Sequence, residues 1–129
     1  MVTHSLRARD VATNAVLALI GEFGNFVLRT DGTVTTPGAA VATLRFSREA
    51  FGPSSGGSAL ANQMEFDFNA AGHAMPVATA TIEAFDGTIV IHCSVAKKRG
   101  DINTNNDTLV IEPGDTVTCD KFTYTALKA

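Results

Sequence analysis

The sequence predicts a mainly β fold, an antiparallel, jelly-roll-like β-sandwich with one N-terminal α-helix. Three observations carry that expectation. Short runs rich in Val, Ile, Thr and Phe recur along most of the chain. Turn signals such as Asp31-Gly32, Asp86-Gly87 and Pro113-Gly114 separate them. A single run with helical spacing precedes them all.

That run opens at Ser5, a good N-cap followed by helix formers. Leu6, Ala8, Val11, Ala12, Ala15, Val16, Leu19 and Ile20 form a broad apolar stripe, and Gly21 and Gly24 end it. The predicted helix is Ser5–Ile20. Its stripe packs on the protein's own sheet or docks on a partner, and the sequence leaves both open.

Strands are predicted over Asn25–Arg29, Val41–Phe46 and Ala59–Phe68. In the last, Met64, Phe66 and Phe68 alternate with Gln63, Glu65 and Asp67. Val77–Phe85 and Thr88–Val95 read as a hairpin closed by Asp86-Gly87. A short strand is expected within Asp107–Glu112 and a final one over Thr116–Thr125. Between them Glu112-Pro113-Gly114-Asp115 has the type II pattern, Pro second and Gly third. Ile89 and Phe122 are expected in the core. Pro53–Ser58, with its Ser and Gly, reads as the most flexible stretch.

The chain has 129 residues, which suits one domain able to bury a core without staples. Hydrophobic residues make up 45% and charged residues 18%, a globular composition with little charged surface. Low charge favours a protein packed against others. The net charge of −3 gives no steer towards nucleic acid. The basic cluster Lys97-Lys98-Arg99 reads as a solvated loop or a contact with an acidic neighbour. No apolar run is long enough to span a bilayer. Met1 is followed by polar residues instead of a cleavable apolar region, so synthesis and folding in the cytosol are expected.

The two cysteines, Cys93 and Cys119, lack a CxxC or zinc spacing and are expected as buried thiols, with a disulfide open if their strands are neighbours. Asp101, Asn103, Asn105 and Glu112 match the first, third, fifth and twelfth positions of a calcium loop. Asn106 stands where that loop needs glycine, and no helical pattern flanks it, so a turn is the better reading and no metal is expected. His4, His73 and His92 are scattered. No nucleophile elbow or phosphate-cradling loop is present. Glu65 and Asp67 read as solvent cover, since a glycosidase pair needs a deep cleft. With no tryptophan and a single tyrosine, Tyr124, a sugar-stacking platform has thin support. No catalytic set and no cofactor are expected.

Three stretches in order carry a resemblance: Val41–Gly57, Ala78–Ile91, and Asp101–Asn105 continued through Glu112–Val117 to Phe122–Thr125. Together they are similar to small virion structural proteins of tailed bacteriophages, described as tail, minor structural or decoration proteins. The resemblance covers roughly residues 41 to 125. It implies a repeated, non-enzymatic building block of the virion, in contact with itself as a homo-oligomer and with other tail or capsid subunits. A tail-associated adaptor or fibre-anchoring role is expected first, a head decoration protein second. A carbohydrate- or receptor-binding sandwich is the rival outside that family. The resemblance also makes Asp101–Asn105 a strand start. Contacts are expected first on the N-terminal segment (Met1, Val2, Leu6, Arg7, Arg9), then at Pro53, Ser54 and Ser55, then at Lys97, Lys98 and Arg99.

Overall fold

The structure is a computed structural model, and it describes residues 3–96, 102–103, 109–119 and 122–125. Among the described residues the fold is mainly β with one helix. Helix α1 spans Leu6–Ala18, and strands β1 to β7 span Asn25–Arg29, Ala40–Arg45, Ser58–Leu60, Thr79–Glu83, Ile89–Ala96, Ile102–Asn103 and Thr123–Thr125. One sheet has the order β2-β1-β4-β5-β6, and β3 pairs with β7 in a second, smaller sheet.

Four strands of the larger sheet are antiparallel. The fifth is not: β6 joins β5 in parallel, matching Val95 with Ile102. That departs from the purely antiparallel expectation. The β4–β5 hairpin closes where Asp86-Gly87 predicts, and the Asp86 carboxylate accepts the N–H of Thr88 at 2.9 Å. β1 is central because its alternation serves both neighbours. Phe26 and Leu28 face the core opposite Ile82 and Ala80 on β4, and opposite Leu44 and Ala42 on β2.

The other face of this sheet is polar but not open. Thr79, Thr81 and Glu83 of β4 are buried there. Arg29 crosses them, giving Nε–H to Thr81 at 3.0 Å, Nη2–H to Glu83 at 2.9 Å and Nη1–H to the carbonyl of Gly38 at 2.9 Å. Thr81 in turn hydrogen-bonds the Glu83 carboxylate. A buried charge needs such complete pairing.

The expected strands Ala59–Phe68 and Thr116–Thr125 are partners, but neither is continuous. Ser58, Ala59 and Leu60 pair with Thr125, Tyr124 and Thr123, and the N–H of Ala61 goes on to the carbonyl of Phe122. Asp67 and Val117 then exchange both backbone bonds. Between them the chain changes sides. Asn62 donates its N–H to Ala50 and Glu65 donates to Arg45, at the edge of the larger sheet. Ser47 hydroxyl donates to the carbonyl of Gln63. A segment that switches sheets forms a corner of a sandwich. It also covers the free edge of β2: Thr43 N–H goes to the Asp67 carboxylate at 2.9 Å and Gly72 N–H to Val41.

The switch alters the expected faces. Met64 is buried, whereas Phe66 and Phe68 stand outside, Phe68 with 70% exposure. Ile89 is half-buried and lies outside the core cluster, because a register shift between Ile82 and Glu83 sets it opposite Glu83 instead of on the core face. Phe122 is half-buried and packs on the core, its ring 5.3 Å from Phe26 and 5.9 Å from Phe51. Leu109–Glu112 is not a strand, and the rest of the Asp107–Glu112 expectation lies outside the described residues. The turn that follows forms as the sequence predicts. Asp115 N–H bonds the Glu112 carbonyl at 3.1 Å, and Gly114 takes a φ of 90° that a residue with a Cβ resists.

One contiguous core joins the layers, built on Phe26, Leu44, Phe46, Met64 and Ile82 with Ile20 from the end of the helix segment. Cys93 is buried and Cys119 is half-buried. No helix among the described residues is long and apolar enough to cross a membrane.

Candidate interaction surface

Helix α1 begins as predicted. The Ser5 side chain accepts the N–H of Ala8 at 3.1 Å. Its orientation reverses the simpler of the two sequence readings. At 100° per residue, Arg9, Asp10, Thr13, Val16, Leu17 and Ile20 share one side, and these are the residues the body covers. Ala8, Val11, Ala12, Ala15 and Leu19 lie on the opposite side, all exposed, Val11 at 60% and Leu19 at 68%. The apolar stripe therefore points mainly to solvent, with only Ile20 reaching the core at its far end.

Hydrogen bonds hold the first part of the inward side, and Leu17 and Ile20 pack on the core at its other end. Thr13, wholly buried, donates its hydroxyl to the carbonyl of Gly57 at 2.8 Å. Gly57 donates its N–H to the Asp10 carboxylate at 2.7 Å, and Ser54 hydroxyl donates to the Asp10 carbonyl at 3.2 Å. The guanidinium of Arg9 lies over Gly57, so close that a Cβ there would sit 2.7 Å from it. Gly57 also has a φ of 85°. The backbone angle selects glycine, and a Cβ there would also displace the Arg9 guanidinium. The Arg9 Nε is buried and has no hydrogen-bond partner among the described residues, a cost the site carries.

The residues expected to make contacts thus separate. Leu6 and Arg7 are exposed on the helix, while Arg9 is turned inward over Gly57. Pro53 and Ser55 are exposed, but Ser54 is engaged by Asp10. The Pro53–Ser58 stretch is the seat of α1, which Ser54 and Gly57 bond through Asp10 and Thr13. Met1, Val2, Lys97, Lys98 and Arg99 lie outside the described residues. Sequence reasoning missed Val11, Ala15 and Leu19 as surface residues. The signal present was the pair Asp10 and Thr13 on the opposite side, polar residues that a solvent-facing helix edge and a hydrogen-bonded seat use equally.

A second exposed feature is an open groove of about 600 Å³ lined by Ser47, Gln63, Met64, Glu65, Phe66 and Phe68. The two Phe rings meet edge to face at 5.9 Å. Arg45, whose backbone bridges Glu65, holds its guanidinium over the exposed ring of Phe85 at 5.8 Å from the centroid. Glu65 and Asp67 do not act as a pair: Glu65 lines the groove, while the Asp67 carboxylate accepts N–H groups from Thr43 and Asn69.

Of the candidate calcium loop, Asp101 and Asn105 lie outside the described residues. The Asn103 backbone belongs to β6, and Glu112 opens the Pro113-Gly114 turn with its N–H on the Asp115 carboxylate. Among the described residues no group of three or more His, Cys, Asp or Glu could hold a metal ion. No family model, no curated protein and no solved structure matches the chain.

Proposed function

We propose that the chain is a non-enzymatic structural subunit of a tailed-phage virion, placed in the tail as an adaptor or fibre-anchoring block. The observation that carries this reading is the apolar surface. A face of α1 is built from apolar residues and directed outward, and Phe66, Phe68 and Phe85 are exposed elsewhere. Apolar surface gathered in patches marks contact with other macromolecules. The kind of particle in this proposal comes from the resemblance read in the sequence over residues 41 to 125. Quantitative mass spectrometry of purified virions tests the reading. The protein should be present at tail-tip stoichiometry. Capsid-lattice stoichiometry would move it to the head as a decoration protein, and absence from purified particles would overturn the proposal.

A second reading, a carbohydrate- or receptor-binding module, has the groove beside Gln63, Glu65, Phe66 and Phe68 in its favour. The rings stand 63° apart and offer no flat platform for a sugar face. Saturating binding to a glycan array, lost in Phe68→Ser, would establish it.

A further inference from the structure

We infer that the outward face of α1 pairs antiparallel with the same face of a second copy of this chain, about a two-fold axis near Ala15. The inference rests on the subunit reading above and names the surface and its partner. Three observations select a second copy over another occupant.

The first is the shape of the face. Its middle is small, with Ala12, Ala15 and Ala18, and its larger residues, Val11 and Leu19, lie four positions to either side of Ala15. A two-fold at Ala15 sets Val11 of one copy beside Leu19 of the other and Ala12 beside Ala18. Large residues then meet at both ends of a close central approach. An isologous contact requires such self-complementarity.

The second is charge. Helix α1 has no acidic residue in its first turn and no basic residue in its last. Arg7 and Arg9 sit at the positive end of the helix dipole, and Glu22 follows its negative end. Within one subunit this order is unfavourable. In an antiparallel pair the exposed Arg7 comes alongside Glu22 and the negative helix end of the other copy. Glu22 is reachable, because its side chain is 61% exposed and its 3.1 Å ion pair with the exposed Arg48 uses one carboxylate oxygen. A parallel pair would set like ends together.

The third is how the helix is mounted. Thr13, Asp10, Gly57 and Ser54 fix its inward side by hydrogen bonds. The outward face is thus presented in one orientation and not on a loose arm, which lowers the ordering cost of association.

A helix of 13 residues is about 20 Å long, so the pair buries well under the roughly 800 Å² per partner of a stable dimer. Pairing should therefore be weak in dilute solution and favoured where a particle holds copies close together.

The test is cysteine cross-linking with the full chain. Facing helices approach closely enough at a two-fold for a disulfide between equivalent positions. Ala15→Cys should give a disulfide dimer on mild oxidation, at a yield about tenfold or more above Ser55→Cys, an exposed site away from the face. Wild-type protein, with Cys93 and Cys119, sets the background. Val11→Asp added to Ala15→Cys should remove the product while far-UV circular dichroism stays unchanged. Sedimentation velocity of wild-type protein should show a dimer growing with concentration and lost in Val11→Asp. Equal yields at positions 15 and 55, or a dimer indifferent to Val11→Asp, would overturn the pairing. Failure to cross-link with normal presence in virions would overturn the pairing alone. Cross-linking with absence from virions would support it and overturn the subunit reading.

Discussion

Replacing Thr13 with valine removes one oxygen and keeps the side-chain shape. Thr13 is wholly buried and its hydroxyl donates to Gly57. The net contribution of such a bond is about 1 kcal/mol, and a stranded buried carbonyl costs up to about 3 kcal/mol. Thr13→Val should therefore destabilise by about 1–3 kcal/mol, even though it makes the helix more apolar. Val11→Ser supplies the contrast. Val11 is 60% exposed, so less than half of its side chain leaves water on folding, and serine has a similar helix propensity. Its cost should stay near 0.5 kcal/mol. Urea denaturation followed by circular dichroism, at low protein concentration to avoid association, measures both. If the apolar stripe faced inward, the order would invert: Val11→Ser would cost about 2 kcal/mol or more and Thr13→Val would be neutral. That inversion would refute the mounting of α1 described above.

Glu83→Ala should destabilise by about 2–3 kcal/mol in the same assay, because it leaves the partly buried Arg29 guanidinium without its carboxylate; a loss below about 0.5 kcal/mol would show that water takes over the pairing of Arg29. Phe122→Ala should cost about 2–3 kcal/mol, less than a fully buried ring, since Phe122 is half-buried between Phe26 and Phe51; an equal loss from Ile89→Ala would contradict the placement of Ile89 outside the core. Asp86 is held below its ordinary value of 3.8 by the N–H and side chain of Thr88. A lowered folded value means that its small contribution is present above the unfolded value and fades as pH falls through the folded one; a carboxyl titration by NMR with a midpoint at or above 3.8 would refute the bond.

Much of the fold was legible in the sequence where local pattern and tertiary environment agree. Phe26 and Leu28, Ala80 and Ile82, and the Asp86-Gly87 turn each satisfy strand alternation or turn chemistry, and each lies where that grammar puts it. Ser5 marks the helix start by the bond it makes. The helix orientation was not legible, because the stripe counts apolar residues while Asp10 and Thr13 dock through hydrogen bonds to Gly57, a residue more than forty positions away. The break in Ala59–Phe68 was hidden for a similar reason. Its period-two pattern continues to Phe68, yet the backbone partner changes from Phe122 at Ala61 to Ala50 at Asn62, and periodicity is blind to partners. The candidate contacts at Pro53–Ser55 were placed in a loop by composition, and only the fold shows that Ser54 belongs to the seat of the helix.

The central claim is that the outward face of α1 serves assembly and not the stability of the single subunit. Virions grown with the Val11→Asp, Leu19→Asp double variant as the sole source of the protein test it most directly, with occupancy read by mass spectrometry against an unaltered virion protein. The account predicts a variant that folds with a near-wild-type urea midpoint yet falls at least about tenfold in occupancy, on the order of 1.4 kcal/mol or more of lost association. A folded variant present at wild-type occupancy would contradict it.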